Sequence, residues 1–238
     1  MKKFFIVIFL VILVADLKVS AQAASFVDPV QAYNKLVIEK NSGKYTLIGA
    51  FKVVGTPFFL GGEQLGDVSA VGEAANNVLV SYNTYDQSLE VKLHSTSTLL
   101  KKECKEVDSF ILRVNDPTVS ETEFKFINPS VIGSKEFGFL QVITNGKKYN
   151  LYKKYYSSLG IVSTNYVQAE LRQFDLNYDY FYYNITTKQL KKIKPNRRAI
   201  AQEFKDLKDI TSSLSVLSAT ANTDVILKQI FAKLNTVE

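Results

Sequence analysis

The run GTPFFLGGEQLGDVSAVGEAANNVLVSYNTYDQSLEVK, residues 55–92, decides how this chain is read. Gly55-Thr56-Pro57 breaks a β-rich segment, and Phe58-Phe59-Leu60 follows it. Gly61-Gly62 and Gly66 mark a loop or bulge, because glycine weakens a strand and lets the backbone turn. Val78 to Tyr82 and Leu89 to Leu93 then read as two strands. The polar bend Asn83-Thr84-Tyr85-Asp86 joins them; Asn and Asp cap local backbone groups and tolerate left-handed conformations.

Outward from this stretch, the β character begins at Lys44 and lasts to Lys194. Phe110 to Val114 and Phe124 to Ile127 are further strands. Phe137 to Thr144 and Tyr149 to Tyr155 flank Asn145-Gly146, which fits a type I′ hairpin turn. Tyr166 to Phe174 and Tyr178 to Asn184 read as another pair, and Leu190 to Ile193 closes the β region. Short strands with turns between them predict an antiparallel sandwich or open barrel of about ten strands. Before it, Asp28-Pro29 opens a short helix with Val30, Tyr33, Leu36 and Val37 on one side. After it the period becomes helical. Pro195-Asn196 starts a helix with Ile200, Phe204 and Leu207 inward. Asn222-Thr223-Asp224 caps a second, with Val225, Ile226, Ile230, Phe231 and Leu234 as its buried stripe. The Ser/Thr-rich segment from Thr211 to Ala221 links them. The predicted class is α+β, mainly antiparallel β. Its divisions are 1–21, a leader; 22–43, a helical lead-in; 44–194, the β domain; and 195–238, a helical segment.

The leader reads as a removable secretory signal peptide, against the alternative of an uncleaved anchor. Met1-Lys2-Lys3 is basic, and Phe4 to Ala15 is a twelve-residue apolar run. That run is short of the roughly 20 residues a spanning helix needs. Val19-Ser20-Ala21 offers small residues for cleavage. The expected location is the periplasm or the extracellular space, with no transmembrane segment once the leader is gone. The chain carries 29 Lys and Arg against 23 Asp and Glu. Loss of residues 1–21 removes three lysines and one aspartate, which lowers the net charge from +6 to +4. A charge that mild does not mark a nucleic-acid binder. The one cysteine, Cys104, allows no internal disulfide and no multi-cysteine metal site. The remaining 217 residues are enough to bury a core without covalent staples.

No assembled catalytic set is legible. The one histidine, His94, stands beside Ser95 with no nucleophile elbow around it. Asp175-Leu176-Asn177-Tyr178-Asp179 begins like a calcium loop, but Tyr180 and Thr186 stand where Gly and a bidentate Glu belong. Alternate residues of a strand share a face, which explains the pattern more simply. The catalytic option left is a pair of carboxylates acting on a sugar: Asp86 with Glu90, or Glu63 with Asp67. Tyr178, Tyr180, Phe181, Tyr182 and Tyr183 form the densest aromatic cluster. Exposed rings there would stack on a glycan or grip a peptide, whereas packed rings would be ordinary sheet. Lys188, Lys191, Lys192, Lys194, Arg197 and Arg198 make a basic run, read as a solvated face or as one that meets phosphate-rich lipid.

Gly55-Thr56-Pro57-Phe58-Phe59-Leu60, Gly66-Asp67-Val68, the Tyr82-Asn83-Thr84-Tyr85-Asp86-Gln87 bend and Leu89-Glu90-Val91 resemble a family of small exported proteins of Bacteroidota-type bacteria with no established function. The aromatic segment Tyr178–Ile193 and the segment Pro195–Leu234 look like that family's closing parts. The resemblance implies export and a structural role for the bend. It transfers no catalytic residue.

The expected function is therefore that of a non-enzymatic binding or accessory protein of the cell envelope. Its partner would be a protein or a glycan, it needs no cofactor or metal, and its candidate contacts are Tyr178, Tyr180, Tyr182, Tyr183, Asp86 and Glu90. The alternatives are a glycan hydrolase using paired carboxylates and a purely structural envelope component.

Overall fold

The computed structural model describes residues 40–41, 45–48, 51–92, 98–114, 122–161, 171–205 and 222–236. The leader, the helix expected from Asp28, His94, Leu207 and the Thr211-to-Ala221 link lie outside them. Among the described residues the protein is mostly β-sheet with two helices. It divides into two compact units, Met1–Val54 with Ile161–Arg172 and Gly55–Gly160 with Gln173–Glu238. In the smaller unit, β1 (Lys40–Asn41), β2 (Tyr45–Ile48) and β3 (Phe51–Val54) form an antiparallel meander.

Apart from Ile161 and Leu171–Arg172, the larger unit holds β4 (Gln64–Ala70), β5 (Glu73–Asn83), β6 (Ser88–Lys92), β7 (Leu99–Glu103), β8 (Ser109–Arg113), β9 (Glu123–Ile127), β10 (Leu140–Thr144), β11 (Tyr149–Ile161), β12 (Leu171–Asn184) and β13 (Gln189–Ile193). Their order across the sheet is β13, β12, β11, β10, β9, β8, β4, β5, β6, β7. The two helices are α1 (Arg197–Glu203) and α2 (Thr223–Thr236).

Three sequence expectations change. Tyr166 to Phe174 and Tyr178 to Asn184 are not a pair: the described residues from Leu171 to Asn184 are one fourteen-residue strand. The stretch contains Asp175, Asn177 and Asp179 but no Gly or Pro, so nothing in it forces the strand to end. Asn145-Gly146 does not make a two-residue type I′ turn. Four residues separate β10 from β11, the register shifts between Val142 and Thr144, and Gly146 has no positive φ. Gly146 is required for another reason. A Cβ there would lie 2.1 Å from the Asn235 side chain of α2. In α2 the buried stripe is Ile226, Leu227, Ile230, Phe231 and Leu234, while Val225 is 48% exposed. Leu227, Ile230, Phe231 and Leu234 hold the i, i+3, i+4, i+7 spacing of one helix face, and Val225 falls off it.

The opening stretch makes the first core. Phe59 enters from a 3-10 turn, Phe59–Gly61, and its ring meets Tyr155 at 4.6 Å, Phe124 at 5.3 Å and Phe126 at 5.5 Å. Phe110 and Phe126 stack at 4.6 Å, and Tyr82 and Phe139 complete the group edge-on. Rings of this size each contribute on the order of 2–3 kcal/mol by leaving water. Gly66 is a glycine because β8 runs so close: a Cβ would come within 2.2 Å of the Ile111 carbonyl.

A second core lies where α1 and α2 cover β10 to β13. Ile143, Leu151, Tyr180, Tyr182 and Ile193 from the strands meet Ile200, Phe204 and the α2 stripe. Asn196 caps α1 by accepting from Ala199 N–H at 2.8 Å, and Asn222 accepts from Asp224 N–H at 3.0 Å ahead of α2. The opposite side of the same strands packs Leu140, Tyr152 and Phe181 together. The alternation Tyr180, Phe181, Tyr182 thus sends successive rings into different cores.

Candidate functional site

The bend is a plug. Gln87 sits at φ 59°, in the left-handed region, and its buried amide uses every donor and acceptor it has. Oε1 accepts from Tyr82 Oη at 2.8 Å and from Phe139 N–H at 3.2 Å. Nε2 donates to the Thr84 carbonyl at 2.8 Å and the Tyr155 carbonyl at 3.0 Å. Thr84 is fully buried too, with its hydroxyl 2.8 Å from the Pro57 carbonyl and 2.6 Å from Ser157 Oγ. Gly138, at φ 96°, leaves room for Gln87: a Cβ would stand 2.4 Å from Oε1. These bonds fasten the β5–β6 bend to β11 and to the start of β10.

Asp86 and Glu90 flank this plug but do not form an isolated acid–base pair. Asp86 accepts from Ser88 N–H at 3.2 Å, from Ser88 Oγ at 2.6 Å, and from Lys101 Nζ at 2.5 Å. Glu90 lies opposite Lys101 in the β6–β7 ladder. Partial burial pushes its carboxyl above the ordinary value; Lys101 opposes that, and Asp86 and Glu63 add to it. Asp67 is held below the ordinary value, first by its side-chain bond to Arg113, then by Asn77 N–H. Glu63 pairs with Lys92 at 3.9 Å, while Asp67 pairs with Arg113, so each acid has its own cation.

The tyrosines separate along β12. Tyr180 and Tyr182 are buried beneath the helices. Tyr180 Oη donates to Asp224 Oδ1 at 2.5 Å, and Tyr182 Oη donates to Glu203, which also accepts from Lys191 Nζ at 3.2 Å. Burial and then the carboxylate partner raise both phenols well above their usual value. Tyr183 belongs to the opposite face, against Leu140, Tyr152 and Phe181. Among the four predicted tyrosines only Tyr178 is exposed, at 49%.

Tyr178 has a neighbour the sequence reading passed over. Lys153 is 7% exposed, and its Nζ lies 4.1 Å from the Tyr178 ring centroid, 5.1 Å from that of Tyr155 and 5.5 Å from that of Tyr180. Asp224 of α2 accepts from Lys153 Nζ at 2.9 Å. The lysine's charge is thus met by one carboxylate and three ring faces. A signal was available: Leu151, Lys153 and Tyr155 alternate along β11, so Lys153 occupies an inward position.

Beyond Tyr178 the same side of β12 carries Leu176, 49% exposed, and Phe174, half-buried. Phe174 meets the ring of Tyr85 edge-on at 5.5 Å, and Tyr85 is 54% exposed at the tip of the bend. The row Tyr85, Phe174, Leu176, Tyr178 joins the two regions singled out in the sequence. On the other face of the strand, Asn177 Nδ2 reaches Ser158 Oγ at 3.3 Å. Neither Phe174 nor Leu176 is distinguishable from ordinary strand residues by sequence pattern alone. Cys104, in contrast, is buried, with its thiol pushed up by desolvation and the Asn128 amide 2.7 Å from its carbonyl. Among the described residues no group of three or more His, Cys, Asp or Glu is placed to hold a metal, and no helix is long and apolar enough to cross a membrane. No family model, curated protein or solved structure matches the chain.

Proposed function

We propose that the chain is an exported, non-enzymatic binding protein of the cell envelope, released from a signal peptide at residues 1–21. Its ligand contact is the row Tyr85, Phe174, Leu176 and Tyr178. The observation that carries this reading is the exposure of three large apolar side chains in a row whose inner end rests on a neutralised, buried lysine. A surface of rigid aromatic rings suits a glycan ring or an extended peptide, because rings give contact area at little entropy cost. Of the two architectures left open by the sequence, the open barrel is favoured. The larger unit's strands follow one connected path from β13 to β7 rather than two separate sheets.

Crosslinked capture tests the reading. The C-terminally tagged full chain is expressed in its own cells, and bound protein and glycan are both identified. The expected result is one enriched partner, lost in Tyr85→Ser/Tyr178→Ser while the unfolding midpoint stays close to that of the parent. Capture that survives the double substitution would end the assignment to this row. A second reading, hydrolysis of glycans, draws on one observation: Glu90 holds its proton more tightly than an ordinary glutamate, beside Asp86. Glu90→Gln should abolish turnover of envelope glycan if it acts as an acid, and should leave capture unchanged if the binding reading is right.

A further inference from the structure

Charge is unevenly distributed along the chain, and Lys191 and Lys192 pair with Glu203 and Asp179 at the borders of an acid-free segment. Residues 139–150, 180–202 and 225–236 contain ten Lys and Arg and none of the 23 Asp and Glu. All other residues together carry 19 Lys and Arg against those 23 acids, a net −4. The three acid-free segments are distant in sequence yet form one structural group. Ile143, Tyr149, Tyr182, Ile193, Ile200 and Leu234 share the helix-covered core.

At one end, the β10–β11 loop, the β12–β13 turn and the last turn of α2 are tied together directly. Asn235 Oδ1 accepts from Lys148 N–H at 2.8 Å and Tyr149 N–H at 2.9 Å, and its Nδ2 donates to the Tyr149 carbonyl at 2.9 Å. The Lys148 carbonyl accepts from Ile185 N–H at 2.9 Å. This end places Lys147 and Lys148 of the β10–β11 loop beside the turn that carries Lys188 and Ile185, the latter 37% exposed.

We infer that this end is a membrane-surface contact that binds anionic phospholipid, the lysines meeting headgroup phosphates and Ile185 entering the interface. The inference is independent of the ligand of the aromatic row. Two observations point to lipid rather than another polyanion. An exposed isoleucine among lysines gains by entering the headgroup boundary and gains little on a nucleic acid. The rings nearest these lysines, Tyr149, Tyr182 and Tyr183, are buried or half-buried, so none is free to stack on bases. Lysines close to a negative bilayer each contribute about a factor of five in partitioning, so a few suffice for salt-sensitive attachment.

The test is co-sedimentation of the chain, purified as its own cells process it, with vesicles. One set is phosphatidylcholine alone, and the other has about one third phosphatidylglycerol. The chain should pellet with the anionic vesicles, remain in solution with the neutral ones, and be released as salt rises from about 0.05 to about 0.5 M. Lys147→Glu/Lys188→Glu should lower partitioning at least about tenfold, and Ile185→Ser by a few-fold. Lys125→Glu/Lys135→Glu makes the same charge change on exposed residues of β9 and the loop before β10, and should keep most of the binding. An unfolding midpoint for each variant separates lost binding from lost fold. Absence of binding to anionic vesicles, equal binding to both vesicle sets, or equal losses in the two double variants would overturn the inference. So would tighter binding to a DNA duplex than to anionic vesicles.

Discussion

The two halves of β12 carry similar residues and meet opposite fates. From Phe174 to Tyr178 the strand shows one side to solvent beside Tyr85. From Tyr180 to Asn184 the same side lies under α1 and α2, and its phenols are tied to Asp224 and Glu203. The change takes place across one pleat, at Lys153, whose charge faces Tyr178 on one side and Asp224 on the other. A strand's composition sets how it pairs. Whether its rings stay exposed or pack depends on which later segments return to cover it.

That difference can be broken most severely from the covered half. Tyr182→Ala removes a ring enclosed by Tyr149, Phe204 and Phe231 and leaves Glu203 without its hydroxyl. We expect a loss of roughly 3–5 kcal/mol in urea unfolding. Next is Asp224→Ala, which strands the buried Lys153 and should cost about 3 kcal/mol. Lys153→Met/Asp224→Ala should recover most of that loss, since a thioether chain needs no counter-charge. If the double variant is as unstable as Asp224→Ala, the ion pair is not what that substitution breaks. Gly146→Ala should cost about 1–3 kcal/mol by driving Asn235 from its loop. In a chain already carrying Asn235→Ala the same change should cost much less, which a double-mutant cycle reads directly.

How much of this was legible follows from the range over which each signal acts. The helices at Asn196 and Asn222 were readable because caps and a 3.6 period are local. The β5–β6 bend was readable for the same reason. Its anchoring by Gln87 was not, because the partners Tyr155 and Phe139 lie far along the chain. The tyrosine cluster was visible as composition, but its division into exposed Tyr178, buried Tyr180 and Tyr182, and opposite-facing Tyr183 needs the helices in place. Gly146 was given the wrong role: its constraint is the side chain of Asn235, not the turn around it.

The smallest effects are those of pH. Asp67 and Glu203 have folded values below their ordinary ones, through Arg113 and the Tyr182 hydroxyl respectively. Their stabilising contribution is present above the unfolded carboxylate range and is lost as pH falls through the folded values. Asp67→Asn should therefore flatten the acid limb of a stability–pH profile. Glu90 has the reverse sign: its folded value is raised, so its ionisation opposes folding as pH rises through that value. Glu90→Gln should be slightly stabilising at pH 7 and neutral near pH 3, and an unchanged profile would remove Glu90 from the account.

The most direct measurement takes one tyrosine from each half of β12 and reads both stability and capture. Tyr178→Ser should cost no more than about 1 kcal/mol, the value of a partly exposed ring over a cation, and should lose the proposed partner. Tyr180→Phe should unfold measurably earlier by leaving the Asp224 carboxylate short of a donor, and should keep the partner at temperatures where it is folded. The reverse outcome, Tyr178→Ser capturing as well as the parent while Tyr180→Phe captures nothing though folded, would contradict the proposed division between a binding half and a packing half.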